Sequence, residues 1–238
     1  MKQQATLNHA PDGELKSLFV RDLRRRWKPV KEGEAAAPEH EAVRIRLHRC
    51  FSWMQRIEDL AAAGLDADDA RLVYGWIAMN SLYGRWDQER KEPVTDRESL
   101  ATFLHRLFKH DHDDVLGATV KAHRKLAESI VGDEFLNKHF WREGDENSIR
   151  SVQRAMYRLR SEIGDGKCHK ALASTLDRVY LARCQLVHGA ATFEGKLNRT
   201  AVRRCARFME IALPAITTVI IDHAWEEDWG NLCYPPSS

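Results

Sequence analysis

The sequence predicts an all-α helical bundle, on three observations. Apolar residues recur three and four positions apart along most of the chain, as in amphipathic helices. Glycine and proline, which interrupt helices, are few, with 13 and 7 residues among 238. No segment shows the strict alternation of a half-buried strand. We expect eight helices, over residues 14–27, 39–63, 67–89, 97–110, 113–131, 146–163, 169–188 and 199–223.

The first predicted helix stands apart from the others. Residues 28–38, KPVKEGEAAAP, are charged, small and bounded by prolines, which is typical of a linker. We therefore predict an N-terminal helix and linker over residues 1–38 and a helical domain over residues 39–238. The helix ends in Arg24–Arg25–Arg26, which we interpret as a solvated terminus, since cations favour helix C-termini.

Charge and hydropathy argue against a strongly basic nucleic-acid-binding protein, a secreted protein and a membrane protein. The formal net charge is +2, so a nucleic-acid role needs a local site, because no global field favours one. The N-terminus lacks the apolar region of a secretory signal, and no apolar stretch is long enough to span a bilayer. We expect a cytoplasmic protein with no membrane partner.

The helix over residues 67–89 shows the clearest periodicity. Asp66 is placed to cap it, and Asp68 and Asp69 complement the dipole in its first turn. One apolar stripe follows, made by Leu72, Trp76, Met79, Tyr83 and Trp86.

Two later helices repeat this design. The helix over residues 146–163 has an apolar stripe and, on its other side, Arg150, Arg154 and Arg158 four residues apart. That row could follow a phosphate backbone, but we interpret it as an ordinary solvated face. In the helix over residues 199–223, Pro214 predicts a kink.

The helix over residues 169–188 departs from the pattern. Its apolar stripe runs through Leu172, Leu176 and Val179 to Leu186, and Arg183 occupies a position where that period asks for an apolar residue. An unpaired buried charge is costly, so Arg183 needs an anionic partner. Either a carboxylate elsewhere in the chain supplies it, or the site receives an anion such as phosphate.

His188 follows five residues after Arg183 and precedes Gly189, a suitable helix terminator. The helix C-terminus favours the charged imidazole, whereas a nearby guanidinium disfavours it. The histidine is therefore either a plain terminal residue or an acid–base group that titrates near neutrality.

The segment Arg183-Cys184-Gln185-Leu186-Val187-His188, followed by Gly189, resembles the Arg-x4–6-His motif of HEPN domains (higher eukaryotes and prokaryotes nucleotide-binding). Three flanking segments are also similar to bacterial members, and the resemblance spans roughly residues 40–236. These segments are Trp76 to Trp86, Leu197 to Cys205 and Trp229 to Pro236.

The resemblance implies a HEPN-type helical domain that dimerises through its motif helices. Many members are metal-independent endoribonucleases in which the RNA 2′-hydroxyl attacks the adjacent phosphorus, in a cleft shared by two subunits. His188 matches the family's acid–base residue, and Arg183 matches the residue that stabilises charge on the phosphoryl oxygens. Such enzymes act as toxins or anti-phage effectors, so an antitoxin or regulatory partner is also expected.

Two features bear on whether the motif is active: the residues beside Arg183 and the separation of Arg183 from His188. Cys184 stands where relatives commonly have asparagine, which weakens polar support of a phosphate, and Gln185 is the candidate to replace it. Five residues place Arg183 and His188 about 140° apart on an ideal helix, so two crossing helices present them to one phosphate better than one helix does.

The sequence contains none of the common motifs for nucleotide phosphates, catalytic zinc or a nucleophilic serine. No phosphate-binding glycine loop, zinc-protease motif or nucleophile elbow occurs, so we expect neither a cofactor nor a metal. We interpret His110-Asp111-His112-Asp113-Asp114 as a helix-capping segment in which Asp113 or Asp114 caps. The alternatives to a ribonuclease are a non-catalytic HEPN module that binds a nucleotide or RNA and dimerises, and a helical interaction protein without a ligand.

Overall fold

The computed structural model describes residues 18–65, 67–138, 140, 146–193, 195–196 and 198–234, without the side chains of 146–148. These residues form an all-α bundle, which confirms the predicted fold class. Its helices are α1 (Val20–Glu32), α2 (Glu41–Ala62), α3 (Asp68–Tyr83), α4 (Asp96–Lys109), α5 (Val115–Ala122), α6 (Arg124–Val131), α7 (Glu146–Gly164), α8 (Cys168–Val187) and α9 (Arg199–Val219).

Short elements connect these helices. A hairpin of two-residue strands, β1 (Trp86–Asp87) and β2 (Glu92–Pro93), lies between α3 and α4. Single 3-10 turns span Glu34–Ala36, Pro38–His40 and Glu134–Leu136, and α9 continues into a π-helical turn over Ile220–Ala224.

Helix α3 lies at the centre of the bundle, between α2 and α9. Four of the five residues in its predicted stripe, Leu72, Trp76, Met79 and Tyr83, are buried as expected. Gly75 lets α9 approach closely, since a Cβ at this position would lie 3.0 Å from the Cβ of Met209.

The prediction that this helix continues to residue 89 is wrong. Gly84 leaves the helical conformation, with ψ of 129°, and the next residues pair as strands. Trp86 therefore lies half-buried in β1 opposite Pro93 and not on the helical stripe. Strand pairing across the hairpin outweighs the helical period here. The predicted cap, Asp66, lies outside the described residues.

Two further boundaries differ from the sequence prediction. The expected helix over residues 113–131 is divided at His123, whose φ of −104° and ψ of 23° separate α5 from α6. The first helix extends through Pro29 to Glu32, so the first five residues of the predicted linker are helical. Residues 14–17 of that predicted helix lie outside the described residues.

Helix α1 contributes to the common core and is not a detached appendage. Val20, Leu23 and Trp27 are buried against the rest of the bundle, and Ala35 in the predicted linker is also fully buried. Of the basic residues at the end of the predicted helix, Arg26 donates two hydrogen bonds of 2.6 Å to the Asp222 carboxylate.

A buried arginine fixes the C-terminal segment to the bundle. Arg46 of α2 is 2% exposed, and its guanidinium donates to the carbonyl oxygens of Leu82 and Gly84 at the end of α3. It also donates to three carbonyls of the C-terminal segment, those of Trp229, Gly230 and Asn231. Burial lowers the pKa of Arg46 to about 10, so the side chain stays charged at neutral pH.

Because one side chain satisfies carbonyls from two segments, Arg46→Ala should destabilise the protein by about 3 kcal/mol, with buried acceptors left unpaired. Urea denaturation followed by circular dichroism measures this change. Arg56→Ala on the same helix is the control, since its ion pair with Asp59 is exposed and its loss should change stability by less than about 0.5 kcal/mol. Equal midpoints for the two variants would contradict the anchoring role of Arg46.

Candidate functional site

Helix α8 carries the candidate motif at its C-terminal end. Its N-terminal three quarters are held by a buried stripe that includes Leu172, Leu176, Val179 and Ala182. Beyond Ala182 burial decreases, so that Arg183 to Leu186 are half-buried and Val187 and His188 are exposed. The motif therefore lies where the helix emerges from the bundle.

Arg183 is half-buried and has no carboxylate partner among the described residues. Its guanidinium carbon lies 5.9 Å from the centre of the Tyr180 ring, one turn earlier, and one Nη lies 3.9 Å from the Cys184 sulfur. The sequence left two alternatives for the partner of Arg183: a carboxylate elsewhere in the chain or a bound anion. The described part of the chain contains no such carboxylate. A cation–π contact and a weak sulfur acceptor leave most of the guanidinium N–H groups available to an added anion.

His188 is the C-cap of α8, as the sequence predicts. Its backbone N–H donates to the Cys184 carbonyl at 3.0 Å, and Gly189 follows with φ of +71°, a left-handed conformation that favours glycine. The imidazole is exposed, and within the described ranges no side chain holds it. It is free to meet a ligand or a second molecule.

Gln185, the expected substitute for the missing asparagine, is engaged within the fold. Its amide nitrogen donates to the Phe135 carbonyl at 2.7 Å, and its amide oxygen accepts from the Asn198 side chain at 2.7 Å. The residue thereby ties α8 to the 3-10 turn before α7 and to the start of α9. One amide proton and one lone pair of Gln185 remain for any ligand.

Cys184 contacts both neighbours of the motif. Besides its contact with Arg183, the thiol interacts with the Tyr180 hydroxyl, and this interaction together with burial raises the pKa of Tyr180. Cys184 and Gln185 also line a cavity of about 450 Å³ between α8, the following loop and α9.

Arg183 and His188 do not line that cavity, and no hydrogen bond or ring contact of the described residues joins the two side chains. Within one chain the structure thus leaves the two motif residues apart. This agrees with the separation expected from their spacing along a helix.

Apolar side chains are exposed on both sides of His188. Val187 is 51% exposed and Phe193, in the loop after the helix, is 74% exposed. Both side chains are therefore available to contact another molecule.

The histidine-rich segment at residues 110–114 has the structural role that the sequence predicts. Asp114 is the N-cap residue of α5, but its side chain makes no cap hydrogen bond. The Asp111 carboxylate takes that part and accepts from the backbone N–H groups of Leu116 and Gly117. His110 bonds to Glu227 at 2.8 Å. In the part of the chain that the structure describes, no three histidine, cysteine or acidic side chains are arranged to hold a metal ion.

Comparisons of the chain with protein-family models, with curated proteins and with solved structures give no match. None of the helices among the described residues combines the length and apolar composition needed to cross a bilayer.

Because Arg183 pairs with no described carboxylate, its removal leaves no buried charge without a partner. Arg183→Ala should therefore change the free energy of unfolding by less than about 0.5 kcal/mol. The matched control is Arg199→Ala. Arg199 forms a two-bonded ion pair with the largely buried Asp69, at 3.0 and 2.9 Å, and its loss should cost about 2–3 kcal/mol. Thermal melts of both variants measure the difference. A loss for Arg183→Ala as large as that for Arg199→Ala would assign Arg183 to the fold.

Proposed function

We propose that the protein is a metal-independent endoribonuclease of the HEPN type that acts as a two-fold dimer. The observation that carries this proposal is the state of Arg183, a half-buried guanidinium that lacks a carboxylate partner in the described chain and shares a helix end with the exposed His188. Arginine in this state suits a phosphodiester, because its planar N–H groups match phosphoryl oxygens.

The proposed reaction uses both residues. The RNA 2′-oxygen attacks the adjacent phosphorus, the bond from phosphorus to the 5′-oxygen breaks, and a 2′,3′-cyclic phosphate forms. His188 accepts the 2′-proton or delivers a proton to the leaving 5′-oxygen, and a dimer with two such residues can divide these tasks. Arg183 stabilises the charge that builds on the phosphoryl oxygens. DNA, which lacks the 2′-hydroxyl, should not be cleaved.

A dimer can bring together Arg183 and His188, which do not contact each other within one chain. With α8 crossing its copy near the two-fold axis, Arg183 of one subunit can approach His188 of the other. The exposed side chains of Val187 and Phe193 would be buried in that contact. The proposed site is therefore composite.

A non-catalytic HEPN module is the second candidate, and the state of Gln185 favours it. Its amide is already bonded to Phe135 and Asn198, and Cys184 is a weak donor, so polar support for a phosphate is reduced. Such a module would bind a nucleotide or RNA through Arg183 and dimerise without cleaving.

Cleavage of host or invader RNA would make the protein a toxin or an anti-phage effector, restrained by an antitoxin or another regulatory partner. Growth arrest on expression that His188→Ala relieves would support this role. Growth that is unaffected by the active protein would argue against it.

We expect purified protein to cleave total RNA in the presence of EDTA and His188→Ala to lower the rate at least about a hundredfold, because proton transfer is lost. His188→Ala should still bind RNA. The matched control is His169→Ala, an exposed histidine in the first turn of the same helix, which should retain activity. Gel analysis of RNA and of its cyclic phosphate ends reports the result. Activity that disappears in EDTA and returns with magnesium would overturn the mechanism, and RNA binding without cleavage would select the non-catalytic module.

A further inference from the structure

A second cavity borders α8 nearer its N-terminus than the cavity lined by Cys184 and Gln185, and Leu181 lines both cavities. It encloses about 400 Å³ among α3, α4, α6, α7 and α8. Cavities that bind small molecules usually fall between about 300 and 1,000 Å³, so this one has the size of a ligand site.

Trp76 of α3 lines this cavity and carries an unused hydrogen-bond donor. The side chain is 1% exposed, and its indole N–H is buried without an acceptor among the described residues. A buried donor without a partner costs free energy, so an acceptor on a ligand would stabilise the protein. Sequence periodicity identified Trp76 as a core residue and gave no sign of this role.

A second aromatic ring lies beside Trp76. The ring of Tyr180, which also lines the cavity, is centred 5.5 Å from that of Trp76. Leu100 and Ala155 complete an apolar surface against which a flat ring could pack.

Cations outnumber anions in the cavity wall. Four basic side chains, Arg97, Lys138, Arg158 and Arg178, face two acidic ones, Asp96 and Asp177. Arg158 belongs to the basic row that the sequence placed on a solvated face.

Three of these basic residues, Arg97, Lys138 and Arg178, interact electrostatically with Asp177 and partly offset the rise in its pKa that burial causes. Arg97, Lys138 and Arg158 are exposed and form no ion pair with any described residue. Arg178 is half-buried and donates to the Leu136 carbonyl at 2.5 Å. Burial lowers the pKa of Arg178; Asp177 and Asp133 partly offset this effect, and a bound anion would offset it further.

We propose that this cavity binds a small phosphate ester that carries a flat ring, with the ring against Trp76 and Tyr180 and the phosphate among Arg97, Arg158 and Arg178. A ring atom that accepts a hydrogen bond would satisfy the Trp76 indole. The proposal goes beyond the proposed ribonuclease activity and does not rest on it. Tyr180 nevertheless connects the two sites, because the Arg183 guanidinium lies over the same ring.

The test is isothermal titration calorimetry of the full chain with four probes: AMP, adenosine, ribose 5-phosphate and inorganic phosphate. AMP carries both parts that the cavity is expected to bind, so it should bind at least about tenfold more tightly than any of the other three. No binding of AMP at millimolar concentration, or adenosine binding as tightly as AMP, would overturn the proposal.

Two variants locate the binding. Arg158→Ala should weaken AMP binding about tenfold through loss of a charge-assisted hydrogen bond. The matched control is Arg154→Ala, one turn earlier on α7, which is exposed and does not line the cavity. Trp76→Phe removes the N–H and part of the aromatic surface, so it should also weaken AMP binding, and the space it leaves in the core should lower the melting temperature. Equal AMP affinity in Arg158→Ala, Trp76→Phe and the control would place AMP elsewhere and contradict the assignment.

Discussion

The buried stripe of α8 ends at Ala182, and this position determines which residues of the candidate site are exposed to a ligand or a second subunit. Through Ala182 the helix is fixed in the bundle by residues that are nearly free of solvent contact. Beyond Ala182, the Arg183 guanidinium lies over the Tyr180 ring and His188 is exposed. A rigid helix thus presents its last turn and the adjoining loop to the surroundings. Groups held by a rigid element need little reordering when a substrate or a second subunit arrives.

The sequence was sufficient for the features that depend on local pattern. The apolar period predicted the bundle and the buried stripe of α3 through Tyr83, and Gly189 predicted that α8 ends at His188. It was not sufficient where distant segments meet. The turn at Gly84 depends on strand pairing with the residues after it, and the linker prediction failed because Ala35 is buried by packing that composition does not reveal.

Polar residues with distant partners were the hardest to interpret. Arg46 bonds to carbonyls more than 180 residues further along the chain, and Gln185 bonds to Phe135 and Asn198, so neither role can be found from spacing. The same limit applies to Trp76, which periodicity assigns to the core although it also lines a charged cavity. Arg183, in contrast, could be identified from the sequence alone, because it is a charged residue at an apolar position of the stripe. The structure adds that the described chain supplies no carboxylate partner for it.

Mixing two inactive variants tests most directly whether Arg183 of one subunit works with His188 of the other. Arg183→Ala and His188→Ala protein are combined, exchanged into heterodimers and assayed on RNA in EDTA. Each heterodimer retains one arginine and one histidine, on different subunits. A composite site predicts that part of the wild-type cleavage rate returns on mixing. Verified heterodimers that remain as inactive as either variant alone would contradict it.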